Sequence, residues 1–145
     1  MDAVLAEILA WGKAAAVREN TDVGKEPQLD VHHVVLGALR TEGGRKLLGS
    51  LLELGESVDM VLAGGVAERL ANLTEPVEGR DFGISSDLRK ITKKVREEHG
   101  ELKAEPFLRG ALLRLRDAGT LEALVVLPDS RKAGAANAER LRKSL

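Results

Sequence analysis

The chain has 145 residues, a length typical of one domain, and its 22 basic and 23 acidic residues leave a formal net charge of −1. Because its charges nearly balance, it lacks the positive field that attracts nucleic acid, and its 2% of aromatic residues provide few rings for base stacking. It contains no cysteine, which excludes disulfides and thiol nucleophiles, and no run of the roughly 20 apolar residues of a membrane span. These properties, with an N-terminus unlike a signal peptide, predict a cytoplasmic protein that contacts no membrane and carries no cofactor.

Apolar residues at helical spacing predict four helices in the first half of the chain. The first covers residues 2 to about 19. After a connector, a second helix opens with Asp30 as its N-cap and is broken by Gly43-Gly44. A short, leucine-rich third helix stops at Gly55, and a fourth runs to about residue 73.

Four further helices are expected after a connector at 74–84. Ser85 or Ser86 caps the fifth, which ends at His99-Gly100, and Pro106 suits the first turn of the sixth. A short seventh helix and a final one over the C-terminal residues complete the series. Since no stretch alternates polar and apolar residues over a useful length, we predict an all-α fold of about eight helices.

The two halves of the chain repeat one pattern. Residues 31–57 laid over 104–130 without a gap give seven identities in 27 positions, and Gly37-Ala38-Leu39 falls on Gly110-Ala111-Leu112. We therefore predict a single domain, 1–145, built as a pseudo-two-fold tandem repeat of four-helix units. Repeat one covers about 2–73, the linker about 74–84 and repeat two about 85–145.

The segment 33–40, followed by the acidic-glycine turn 41–44 and a leucine-rich short helix, resembles the repeat of the Clp ATPase N-terminal domain family. That repeat typically reads Glu-His-(Ile/Leu)-Leu-Leu-Gly-Leu and then Arg-Glu-Gly-Glu-Gly. The resemblance extends over nearly the whole chain, from about 3 to about 144. It implies a non-catalytic protein-binding module that recruits adaptor or substrate proteins to an AAA+ unfoldase for unfolding and proteolysis.

Departures from the family pattern bear on the binding residues. The first repeat has His32-His33 where the family usually has Glu-His, whereas the second has Glu105-Pro106 and so keeps only the acid. In ClpC-like members an acid at that position helps to bind phosphorylated arginine, so Glu105 matches and His32 does not. The resemblance implies a protein partner, including a phosphoarginine-bearing substrate. The candidate contacts are Glu105, His32 and Arg40 in the two repeat motifs, and Arg109, one of the arginines that alternate with leucines around the sixth helix.

No residue pattern indicates an enzyme. Gly12-Lys13 and Gly24-Lys25 lack the upstream glycine and the following Ser or Thr of a phosphate-binding loop, so any ATPase activity would lie outside this chain. A small helical enzyme using His32, His33 and a carboxylate would require these groups to converge in a cleft with a perturbed histidine pKa.

The histidine pair also bears on metal binding. Neighbours on a helix point about 100° apart, so we expect no metal at His32 and His33. We expect His33 to be buried and bonded to backbone, and His32 to be partly exposed. The alternative function is that of an unrelated helical scaffolding or regulatory protein that dimerises through leucine-rich faces.

Overall fold

The structure is a computed structural model that describes residues 2–19, 27–52, 70–77 and 83–118. This part of the chain is mostly helical, as the sequence predicts. It comprises α1 (Ala3–Glu19), β1 (Gln28–Leu29), α2 (Val31–Arg40), α3 (Glu42–Leu51), β2 (Gly83–Ile84), α4 (Ser86–His99) and α5 (Ala104–Asp117). The predicted stop at Gly55, nearly all of the predicted fourth helix, and the seventh and eighth helices lie outside the described residues. None of the described helices combines the length and apolarity needed to cross a membrane.

The core lies around α2, which is buried on almost every side between α1, α3 and α5. Its interior is aliphatic, as the scarcity of aromatic residues predicts, and Phe107 is the one ring among the largest fully buried side chains of the described residues. The others are Leu5, Ile8, Leu36, Leu39, Leu48, Leu52, Leu88, Leu108 and Leu112. Burial of these side chains, at about 1.5–3 kcal/mol each, supplies the main driving force for the fold.

Four predicted helix boundaries are confirmed. Asp30 is the N-cap of α2, and Ser85 caps α4 by accepting the backbone N–H of Leu88 at 3.2 Å. Gly100 ends α4 with a φ of 77°, a left-handed conformation that glycine adopts without strain. Pro106 lies in the first turn of α5, where a missing N–H leaves no hydrogen bond unmade.

The predicted break at Gly43-Gly44 is wrong. α2 ends at Arg40, and Thr41 adopts an extended conformation with φ −114° and ψ 148°. The Thr41 hydroxyl then accepts the Gly44 N–H at 3.0 Å and so caps α3. Gly44 is required inside that first turn because a Cβ there would overlap the carbonyl oxygen of Ala38.

β1 and β2 pair in parallel, with Gln28 opposite Gly83 and Leu29 opposite Ile84. The Ser85 N–H extends the pairing by donating to the Leu29 carbonyl oxygen at 2.9 Å. No alternation in the sequence indicates these strands, because two residues are too few to show a period. Their pairing joins the start of α2 to the start of α4, and so ties the first half of the chain to the second.

Candidate functional site

A groove of about 810 Å³ opens between the first residues of α1, the beginning of α3 and the facing sides of α4 and α5. Its floor is apolar. The side chains that form the floor are Val4, Leu47, Ile91, Val95 and Leu113. Its rim carries charged side chains from each of the surrounding elements, namely Asp2, Lys46, Lys94, Glu98, Lys103, Glu105 and Arg109.

Asp2 holds one wall of the groove together. Its carboxylate accepts the Val4 N–H at 2.9 Å and the Ala104 N–H at 3.2 Å, so it joins the first turns of α1 and α5. The Ala104 N–H is the main cause that lowers the pKa of Asp2 below its usual value. The carboxylate therefore serves the framework of the groove.

Two of the four candidate residues meet at this rim. Glu105 and Arg109 are one helical turn apart on α5, with 4.0 Å between carboxylate oxygen and guanidinium nitrogen, and both are more than half exposed. An exposed pair of this kind contributes at most about 1 kcal/mol to stability, so either partner can exchange the other for a ligand at little cost.

Lys94 and Lys103 are two of the rim residues that sequence reasoning missed. Within the described part of the chain neither forms an ion pair, whereas Lys46 is paired with Glu42 at 3.3 Å. Lys94 belongs to a charged helix that the sequence presents as a solvated face, and no local pattern separates it from Lys93. Its importance comes from the packing of α4 beside α5, which places it above an apolar floor.

Arg40 and His32 lie elsewhere. The Arg40 guanidinium stacks over the ring of Trp11, 4.2 Å from its centroid, and its Nε donates to the Leu73 carbonyl oxygen at 3.4 Å. These contacts attach the end of α2 to α1 and to the 70–77 segment. Arg40 is therefore exposed outside the groove, where it contacts Trp11 and Leu73.

His32 and His33 form a cluster with Glu19, the last residue of α1. Oε2 of Glu19 lies 2.9 Å from Nε2 of His33 and 3.2 Å from Nε2 of His32, and the two ring centroids are 4.0 Å apart. The expectation that the two rings point apart is wrong. The angle of about 100° separates only the Cβ directions, and rotation about the side-chain bonds turns both rings to one carboxylate. His33 is buried and His32 half-buried, as the sequence predicts.

The hydrogen bonds of His33 fix its proton. The backbone N–H of Asp30 donates to Nδ1 at 3.0 Å, completing a capping box in which the Asp30 side chain also caps the helix. Because Nδ1 must offer a lone pair there, the proton of the neutral ring lies on Nε2 and donates to Glu19. This agrees with the expectation that His33 is bonded to backbone.

The cluster places three ligand-type atoms within 4.8 Å of one another, a spacing that a metal ion could bridge. A metal at Nε2 of His33 would need the ring proton on Nδ1, where the Asp30 N–H already points. Metal-bound histidines instead donate their second ring N–H to an acceptor. The same two bonds occupy both nitrogens that an acid–base role would use, so the arrangement is suited to hydrogen bonding.

Burial lowers the pKa of His33, and a charge on His32 lowers it further, while Glu19 and Asp30 oppose the shift without overcoming it. Burial raises the pKa of Asp30, but the N–H of Val31, the Ser85 hydroxyl and the two histidines lower it more, so it lies below the usual 3.8. The neutral imidazole and the ionised carboxylate are thus the forms that this structure favours.

No family model, no curated protein and no solved structure matches this chain. The geometry of the groove and of the histidine cluster therefore carries the functional argument.

Proposed function

We propose that this chain is a non-catalytic protein-binding module whose groove receives a segment of a partner protein. The observation that carries the proposal is an apolar floor beneath a rim where Lys94 and Lys103 have no ion-pair partner among the described residues. Apolar surface supplies affinity, and an unpaired cation at its edge attracts an acidic group. The occupant is therefore a segment with apolar side chains next to a carboxylate or a phosphoryl group.

The module is further proposed to be a tandem repeat like the N-domain of Clp ATPases. In support, α2 and α5 begin at residues 31 and 104, positions that the repeat alignment superposes. Gly37 faces the preceding helix α1 at Ile8, and the equivalent Gly110 faces the preceding helix α4 at Ile91. The alanine and leucine that follow each glycine are buried in both helices. α5 departs from the repeat because it continues to Asp117, whereas α2 ends at Arg40.

On this proposal the groove recruits adaptor or substrate proteins to an AAA+ unfoldase, and the motor that unfolds them lies outside this chain. The alternative, dimerisation through leucine-rich faces, has less support. Among the described residues Val17 is the one exposed large apolar side chain, and the described leucines are buried or half-buried within this fold.

Photo-cross-linking tests the groove directly. Benzoylphenylalanine placed at Leu113 on the groove floor should capture a partner peptide, identified by mass spectrometry, from the native lysate. The same probe at Lys90, exposed on α4 outside the groove, should not capture that peptide. The expected peptide carries apolar residues beside an acid or a phosphorylated residue.

Charge reversal provides the second arm. We expect Lys94→Glu to reduce the Leu113 cross-link and Lys90→Glu, the same change on the same helix, to leave it intact. Equal capture by both variants, or a Leu113 cross-link only to a second copy of this chain, would overturn the proposal. In the second case the dimerisation alternative would replace it.

A further inference from the structure

We propose that His33 is a proton-operated latch: when neutral it holds Asp30 at the start of α2 beside the β1–β2 pair while bonded to α1, and when protonated it keeps the bond to α1 but releases Asp30. This regulation lies outside the groove and does not depend on the proposed function.

The latch consists of hydrogen bonds that reach three elements. Nε2 of His33 donates to Glu19 at the end of α1, and Nδ1 accepts the Asp30 N–H at the start of α2. Asp30 follows directly on β1, and Ser85, which follows directly on β2, donates its backbone N–H to the Leu29 carbonyl oxygen at 2.9 Å. One imidazole therefore lies at the meeting point of both halves of the chain.

Protonation acts on one of these bonds. A protonated ring carries a hydrogen on Nδ1 as well as on Nε2, so Nδ1–H and the Asp30 N–H become two donors facing each other. The bond to Glu19 survives, since Nε2 donates in both forms. The reciprocal half of the capping box is lost, and with it the restraint on Asp30 beside the strand pair.

The charged groups that face His33 in the described residues are Glu19 from α1, the adjacent His32, and Asp30 three residues earlier in the chain. Glu19 and Asp30 favour the imidazolium, whereas burial and His32 disfavour it, and the disfavouring effects are larger. The latch is therefore closed at neutral pH. Since the pKa of His33 is lower in the folded state than the usual 6.5, its stabilising effect is complete above that value and is lost as pH falls through the lowered pKa.

His33→Gln separates the latch from the cap. Glutamine at this position of a capping box also accepts the N-cap N–H, but it does not titrate. His32→Gln is the matched control, since it removes the neighbouring imidazole and leaves the cap. The readouts are the thermal unfolding midpoint and the exchange rate of the Ser85 amide, which donates to Leu29 across the strand pair.

Between about pH 7.5 and about pH 5, we expect the wild type to lose thermal stability and to exchange the Ser85 amide faster, after correction for intrinsic exchange. The exchange rate of the Ser85 amide should rise about tenfold for each unit by which the His33 pKa is lowered. His32→Gln should show the same trend with a smaller amplitude, because a charge on His32 contributes to the lowered pKa of His33. His33→Gln should lose much less. Equal pH dependence in wild type and His33→Gln would overturn the latch.

Nitrogen-15 NMR of the wild type tests the latch even if His33→Gln fails to fold, because it reports the protonation of each His33 ring nitrogen directly. The expected spectrum shows the His33 proton on Nε2 at neutral pH and a titration midpoint below that of a model histidine. A proton on Nδ1, or an ordinary or raised midpoint, contradicts the proposal.

Discussion

Gly37 of α2 lies directly against the carbonyl oxygen of Ile8 in α1. A Cβ at Gly37 would overlap that oxygen and would lie 2.6 Å from the backbone nitrogen of Gly12. In turn, a Cβ at Gly12 would lie 3.0 Å from the carbonyl oxygen of His33. The two backbones therefore touch without intervening side chains, and this close approach is what brings Glu19, at the end of α1, within reach of both histidines of α2.

Substituting this glycine should separate the helices. We expect Gly37→Ala to lower the free energy of unfolding by about 1–3 kcal/mol or more, because the methyl group meets backbone atoms that cannot rotate away. Gly110→Ala is the matched control at the equivalent repeat position, where the Cβ meets the Ile91 Cγ2 atom at 2.9 Å. A side-chain end can move, and alanine favours a helix by about 1 kcal/mol over glycine, so that variant should stay near wild type. Urea unfolding measures both, and equal losses would show that backbone contact at Gly37 is unimportant.

Much of the fold follows from local sequence, since helix periodicity and caps depend on neighbouring residues. Asp30, Ser85 and Gly100 mark their boundaries for that reason. The helix boundary at Thr41 was not predicted from the sequence, because Gly43-Gly44 is a stronger local helix-breaking signal than a threonine. Only the packing of α3, with Gly44 against Ala38 of α2 and Gly43 against Val4 of α1, makes those glycines part of a helix.

Asp30 should stabilise α2 through its side-chain cap. We expect Asp30→Ala to cost about 0.5–2 kcal/mol at neutral pH and Asp30→Asn to cost much less, because asparagine caps a helix about as well as aspartate. Chemical unfolding at neutral pH measures both. A loss in Asp30→Asn equal to that in Asp30→Ala would attribute the effect to charge instead of capping.

The charge of Asp30 adds a second dependence on pH. Since its pKa is lowered below 3.8 in the folded state, its stabilising effect is complete above that value and is lost as pH falls through the lowered pKa. The stability advantage of wild type over Asp30→Asn should therefore shrink on acidification to about pH 3. An advantage that grows over this range would contradict the sign of the shift.

Arg40 should report on its contact with Trp11, the only tryptophan of the chain. We expect Arg40→Gln to change the emission of Trp11 and to cost about 0.5–1 kcal/mol, since a cation over the ring face is lost. Arg18→Gln, the same change at an exposed position of α1, should alter neither quantity. A double-mutant cycle with Trp11→Leu measures the coupling free energy between Arg40 and Trp11, and a value of zero would show that the stacking contact does not stabilise the fold.

The candidate site was less accessible to sequence reasoning than the fold. Glu105 was found through a family pattern and Arg109 through the alternation of arginines with leucines along its helix, and the two share a rim in the structure. Lys94 was not found, because its place above the floor, and its lack of an ion pair among the residues that the structure describes, depend on how α4 and α5 pack. The contact of His32 and His33 with Glu19 was also not predicted, since it depends on the close approach of α1 and α2.

Glu105 makes the resemblance to phosphoarginine-binding domains testable. If it accepts a guanidinium at the rim, free phosphoarginine should bind with its phosphoryl group attracted by Lys94 and Lys103, the rim cations without ion pairs in the described ranges. We expect isothermal titration to show binding that Glu105→Gln weakens about tenfold, the cost of one charge-assisted hydrogen bond. Glu101→Gln, an exposed carboxylate outside the groove, should bind as the wild type does. No heat of binding in the wild type would remove phosphoarginine as the ligand and leave an acidic segment as the occupant, which the Leu113 cross-link examines independently.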